Sequence, residues 1–405
     1  MLKPTNILRR LLALCLCLLL AAGSACAEKP VLLTFDTEEI PTCDLILPDG
    51  RLILSEIPTE KDVNLFCLNT DRTVSWKYSI SVKDVNRIFD ISPTPEYSSL
   101  YHMSVMSDGT IAVVLITEDS NGVHRHPILF LSKKGKPTKR KVLLPKDGWN
   151  LYAAKASYLV FYDFERNNSL DAPVYHTEIR DWDGNVLAAY DGLIMNGGYG
   201  YLMPDLDELT ACGQDTYENS RATFMKMDGP QGNILWETKL DHQYPDTEYA
   251  VMQDFLKLKD GSYAGYLTET ARKPDDDYVL KDVMVKFDAQ GNVQWTDKES
   301  FGGEGCRIQG IYEYDGKIAV WYGPLWNPET LFWYDTEGNL LGTPEVKISL
   351  EELKTLKPFK KAKKFPEGGI FQLIPMADGL WARASYRPAN SNKKYKNIMF
   401  KVPVI

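Results

Sequence analysis

The chain holds five histidines, His102, His124, His126, His176 and His242, which is little imidazole for acid–base work in 405 residues. His124-Arg125-His126 sets two rings on one face of an extended strand, a spacing that suits zinc or copper. Pro127 and the preceding Asn121-Gly122 mark a surface turn, so the pair reads as solvated rather than ligating. The acidic strings Asp205-Leu206-Asp207-Glu208 and Asp275-Asp276-Asp277 offer oxygen ligands for calcium, but neither has the turn glycine and terminal carboxylate of a calcium loop. Two cationic strings, Lys133 to Lys141 and Lys354 to Lys364, read as solvated faces, with anionic envelope polymers as their functional alternative. Asp228, Asp288 and Asp335 stand at equivalent places in a recurring phrase, so they serve turns and do not form a catalytic set. No residue is assigned as catalytic, metal-binding or cofactor-binding, and no cofactor is implied.

Aromatic side chains are the better recognition material. Trp321-Tyr322-Gly323-Pro324-Leu325-Trp326-Asn327-Pro328 is followed closely by Trp333-Tyr334. Trp326 lies between two prolines in a connection between strands, where a flat indole face suits a sugar or a peptide side chain. Packing of that loop on its own sheet is the plainer alternative. Trp149, and Tyr199 in Asn196-Gly197-Gly198-Tyr199-Gly200-Tyr201, precede strands that would begin at the same edge of the molecule. Trp326, Trp149 and Tyr199 are therefore the candidate ligand-binding residues.

The elements that must position them come from two turn phrases. Asp288-Ala289-Gln290-Gly291-Asn292-Val293-Gln294-Trp295 is echoed at Asp228 to Trp236, Asp181 to Leu187 and Asp335 to Leu341. Asp-Gly turns alternate with it at Asp49, Asp108, Asp260, Asp315 and Asp378. Each phrase separates two short apolar runs rich in β-branched and aromatic residues, the mark of a tight antiparallel hairpin. Two hairpin turns per unit imply four strands per unit. Units begin near Cys43, Leu100, Leu151, Tyr199, Met252, Gly305 and Gly369, and the turns recur at roughly 47 to 63 residues. Helical periodicity is confined to Ser349 to Phe359, where Ser349-Leu350-Glu351-Glu352 forms a capping box.

At Val285 to Trp295 and Met225 to Trp236 the phrase resembles the repeat of quinoprotein-like (PQQ-repeat-like) β-propellers, over most of the chain after residue 27. The resemblance implies an all-β propeller, most simply of seven four-stranded blades, with the recurrent Trp236 and Trp295, and Trp76, packing between sheets. It implies no quinone. The last repeat, ending at Asn397 to Val402, lacks a fourth strand, and Val31 to Asp36 is the spare run expected to complete it and close the ring. Around Asp241-His242 a short stretch is similar to the arylsulfotransferase family, whose further histidines and arginines have no match here.

Residues 1–27 read as a signal peptide: Lys3, Arg9 and Arg10 precede an apolar run, Leu11 to Ala22, and a small-residue triplet, Ala25-Cys26-Ala27. Lipid attachment at Cys26 is the alternative, disfavoured by Gly23 three positions earlier. Cleavage after Ala27 leaves a single domain, 28–405, secreted or associated with the cell envelope. The net charge of −9 becomes −12 once those three cations are removed. An anionic surface excludes general nucleic-acid binding, and no later run reaches a membrane-spanning length. Cys43, Cys67, Cys212 and Cys306 are widely spaced and read as free thiols.

The resulting expectation is a secreted noncatalytic propeller that binds a protein, peptide or glycan through one rim or the channel mouth. The alternative is a propeller enzyme, a hydrolase, lyase or arylsulfotransferase-like transferase, with its site at the channel mouth.

Overall fold

The computed structural model describes residues 29–405 except 38–41, 60–61, 93–94, 145–148, 155–157, 166–173, 192–200, 205–208, 215–220, 228–233, 273–277, 302–304, 325–329 and 389–394. The strands among the described residues assemble into four-stranded antiparallel sheets. Six of these are contiguous blades, residues 42–81, 97–144, 150–191, 201–240, 247–297 and 306–342, in which spatial order follows chain order. The remaining four-stranded sheet is composite, with Glu367–Met376, Gly379–Arg387 and Tyr395–Lys401 joined by Val31–Thr37 from the other end of the chain. As a count of self-contained four-strand repeats, seven is thus corrected to six. The innermost strand of each sheet contacts that of the next all the way around, including Thr42–Ile46 against Glu367–Met376.

Closure is local and strong. Val31 pairs with Met399 and Leu32 with Ile398, and Leu33 is buried among Leu52, Leu54, Trp381 and Met399. Arg72 of the first blade makes a two-pronged contact with Asp378 of the composite sheet at 3.0 and 3.1 Å. Its guanidinium also lies 4.1 Å from the centroid of the Trp381 ring.

Position within a blade determines each strand's pattern. Second strands such as Lys317–Pro324 are covered on both faces by neighbouring sheets and are almost continuously buried. Outer strands such as Val74–Ser81 keep one wet face and alternate. Both tight turns of a blade lie at one end of the ring, here the turn rim. The second-to-third and blade-to-blade connections lie at the other, the loop rim.

The recurring phrase makes its own joint. Asp288 Oδ1 accepts the N–H of Gln290 and of Asn292, at 2.9 and 2.8 Å, while Asn292 Nδ2 returns to Asp288 Oδ2 at 2.8 Å. Asp181 and Asp335 repeat this closure. Gly291 has φ +80° and lies against the Trp236 ring of the preceding blade, where a Cβ would fall 2.4 Å from the indole. Gly338 lies likewise against Trp295, and Gly135 against Trp76. One phrase therefore supplies both the glycine that receives a tryptophan and the tryptophan that covers the next glycine.

Among the described residues two α-helices interrupt the β pattern. Helix α1, Val82–Phe89, is absent from the sequence expectation because its eight residues continue a β-rich run and its capping box, Ser81 with Asp84, uses the shorter acid. Helix α2, Leu350–Thr355, begins at the Ser349–Glu352 box and passes into a 3₁₀ turn, Lys357–Phe359, that contains Pro358. Among the described residues no helix is long and apolar enough to cross a membrane.

Candidate functional site in the central channel

A feature of the innermost strands shapes the channel. Pairing to the second strand slips by one residue at Asp44, Tyr101, Tyr152, Gln253, Gln309 and Phe371, leaving that residue out of the ladder. A bulge of this kind bends the strand and re-aims its side chains. Tyr101, Gln253, Gln309 and Phe371 each stand five residues before the residue that enters the turn, so they share one level around the channel. Sheets cover an innermost strand on both faces, so mid-strand exposure opens on the channel; Tyr101 is 41% and Phe371 37% exposed.

On the turn-rim side of this level lies a cavity of about 380 Å³, lined by Leu45, Leu256, Tyr312, Glu313, Gln372 and Pro375 among others. Asp254 directly follows the bulge at Gln253. The slip moves it from the face occupied by Met252 to the face that meets the next blade. Asp254 Oδ1 accepts the Phe255 N–H at 2.8 Å. The side chain is half-buried, and loss of hydration in the channel wall pushes its carboxyl up to about 6, only partly opposed by the Phe255 hydrogen bond.

Tyr312 belongs to the neighbouring blade. Burial holds its phenol well above the ordinary tyrosine range, with a smaller upward push from Asp254 and an opposing hydrogen bond from the Leu373 backbone. Gly310 makes room for it, because a Cβ there would lie 2.6 Å from the Tyr312 hydroxyl. Glu313 is tied back through Oε2, which accepts the Lys259 N–H at 3.0 Å across the blade boundary. The channel wall thus pairs a carboxyl that changes charge near pH 6 with a phenol that stays protonated. This arrangement can hold and move a proton.

A second charged group near this boundary has a different role. Asp282 accepts Arg307 Nε at 3.1 and 3.0 Å through its two oxygens, Ile308 N–H at 2.6 Å and Thr268 Oγ1–H at 2.8 Å. With the Asp282 side chain fully buried and its oxygens saturated, it fastens the blade 247–297 to the blade 306–342.

The residues singled out in the sequence are not gathered here. Trp326 and Tyr199 lie outside the described residues, as do the acidic strings 205–208 and 275–277. Trp149 is half-buried against the cluster containing Phe161 and Trp182, with the Arg180 guanidinium 5.6 Å from its ring centroid. His124 and His126 lie on the strand His124–Leu131, directly after the Asp119–Val123 turn that contains Asn121-Gly122, and the burial of His126 corrects the expectation that the pair is solvated. His126 is buried, and its Nε2 accepts the Leu151 N–H at 3.3 Å, while His124 is half-buried beside Glu118. Among the described residues no group of three or more His, Cys, Asp or Glu could hold a metal ion. His242 falls between Ile234–Leu240 and Thr247–Lys257, on the loop rim, at the opposite end from the cavity.

Part of the cationic surface is used within the chain: Arg140 reaches Asp183 at 2.8 Å and Lys354 reaches Glu351 at 2.8 Å. Cys67 and Cys306 are free thiols, and burial pushes Cys67 up to about 11, far from nucleophilic activation. Asp254 and Tyr312 escaped the sequence reading. The signal available was a carboxylate inside an otherwise apolar run, Met252-Gln253-Asp254-Phe255-Leu256.

No protein family and no curated protein matches the chain. Solved structures do. The polysaccharide lyase Uly1 superposes with a TM-score of 0.51 at 9% identity, covering 90% of each chain. The β-propeller domain of the Trilobed protease from Pyrococcus furiosus follows at 0.47 and 10%, covering 93% of this chain and 95% of its own. Drosophila Semaphorin 1a, extracellular domains 1-2, stands at 0.45 and 8%, covering 93% and 88%. Fold and neighbours place the chain among the β-propellers. The comparison leaves the expectation of a noncatalytic protein without support, because the scaffold shared with Uly1 carries a polysaccharide lyase there.

Proposed function

We propose that this protein is an exported propeller enzyme that cleaves its substrate by acid–base catalysis in the channel cavity, as a hydrolase or lyase. The observation that carries this reading is Asp254, a carboxyl raised to about 6, whose charge acts on the protonated Tyr312 phenol in the lining of the cavity. A group titrating near the working pH serves as acid in one step and base in another. Protonated Asp254 gives its proton to a departing oxygen; ionised, it takes one from water or from an activated carbon. Tyr312 donates a hydrogen bond to oxygen that gains charge as the bond breaks. A raised carboxyl pKa also disfavours the charged folded state, a cost consistent with a working group. Export follows from residues 1–27, and the likeness to quinoprotein repeats concerns the Gly-Asn-x-x-Trp joint alone.

The test is a cleavage screen over polysaccharides and peptides, reading new reducing ends, unsaturated sugar ends and new amines. Wild-type protein should give one positive class with a pH profile bending near 6, and Asp254→Asn should lower kcat by about 10²–10⁴-fold. Full activity in Asp254→Asn would end this reading.

A further inference from the structure

The level of bulged residues next to the cavity has a chemistry of its own. Gln253, Gln309 and Phe371 come from consecutive sheets, the two blades 247–297 and 306–342 and the composite sheet, and each stands one to three residues before a residue of its own strand that lines the cavity: Leu256, Ile311 and Gln372. Two amides, one of them next to Asp254 in the chain, and an exposed phenyl ring therefore stand on the three sheets that wall the cavity, and Tyr101 presents a second aromatic at the same level. The Tyr101 hydroxyl bonds the Leu151 carbonyl of the next blade, and its ring lies 5.1 Å from His126, so its orientation is preset.

We propose that this level is the recognition subsite of the enzyme and that the segment it holds is a neutral, hydroxyl-rich glycan. The proposal rests on the cleavage reading above and names its substrate class. A sugar ring offers an apolar C–H face and a rim of hydroxyls that both donate and accept. Phe371 supplies a flat partner for the face, and carboxamides are the side chains that match donor-and-acceptor hydroxyls. None of the six bulged residues is a cation, and the chain carries a net charge of −9, so a uronate-bearing or sulfated polymer finds no partner at this level and a repulsive field around it. Four residues sharing one level allow adjacent sugar units to be held together, with one linkage carried to Asp254.

The experiment uses the full mature chain carrying Asp254→Asn, so that binding is read without cleavage. Affinity electrophoresis is run against neutral glucan, mannan and xylan, against a uronate polymer, and against immobilised peptides. Retardation by a neutral glycan, weakened about 3- to 10-fold by Phe371→Ala and by Gln309→Ala, supports the subsite; that range corresponds to the stabilisation expected of one stacking or amide contact. Phe371 is exposed, so an unchanged melting temperature should accompany the loss. Retention only on the uronate polymer or on peptides, no retention at all, or equal retention by Phe371→Ala overturns the proposal. The two readings fail separately. Cleavage of a glycan by Asp254→Asn removes the catalytic assignment and leaves the subsite, whereas Asp254-dependent cleavage of a peptide removes the subsite and leaves the catalytic assignment.

Discussion

Buried His126 should make this propeller lose stability in mild acid, and His126→Gln should abolish that loss. The imidazole is 2% exposed, with Tyr101 and Phe161 beside it, and burial lowers its pKa from 6.5 to about 4. Nε2 accepts the Leu151 N–H, so protonation there breaks a hydrogen bond between two blades. The unfolded chain takes up the proton at about 6.5 and the folded chain only near 4. The stabilising contribution is thus complete above 6.5 and drains away as pH falls toward 4. Between pH 7.5 and 4.5 a shift of that size removes about 2.5 kcal/mol. Gln keeps an acceptor for Leu151 but does not titrate; its poorer packing should cost about 1–2 kcal/mol at every pH. Urea unfolding of both proteins at pH 7.5, 6.0 and 4.5 is the assay, and subtracting one curve from the other cancels every other titrating group. The variant should start less stable and finish equal to or more stable than wild type. A difference that stays constant across that range would refute the argument.

Four further outcomes follow from other contacts. Asp254→Asn should stabilise the protein on the order of 1–3 kcal/mol at pH 8, with most of the gain lost by pH 4 and the rest below it, because the raised carboxyl penalises only the ionised fold; equal unfolding curves at pH 8 would contradict the assigned environment. Asp282→Ala should cost about 3–5 kcal/mol, since it strands the Arg307 guanidinium between blades, and chemical unfolding reads it directly. Gly291→Ala should lower stability by about 1–3 kcal/mol through its positive φ and the Trp236 ring, whereas Gly261→Ala, with open space around it, should show only the smaller backbone cost. Deleting residues 31–37 exposes Leu33's partners and the edge of Tyr395–Lys401, so the melting temperature should fall by several degrees.

The sequence made the strands, their turns and the repeat legible because each is a local code: Asp-Gly and Asp-x-x-Gly-Asn hairpins act within five residues, and a tryptophan that recurs with them marks the packing joint. Closure was legible for a related reason, since an unmatched strand at each end implies a partner. Helix α1 was hidden by its shortness. The site was hidden by something deeper. Asp254, Tyr312, Gln309 and Phe371 lie in three different sheets and are separated in sequence by roughly a blade. A one-residue slip in pairing decides whether such a side chain faces a neighbour or the channel. His126 shows the same limit, since beside Pro127 it read as surface, yet the strand carries it between two blades. Thus the local chain determined that a propeller forms and how its turns and joints are built. Only the closed ring decided which carboxyl loses its water, which aromatics stay wet and which groups converge, because desolvation and proximity depend on sheets that meet far apart in sequence.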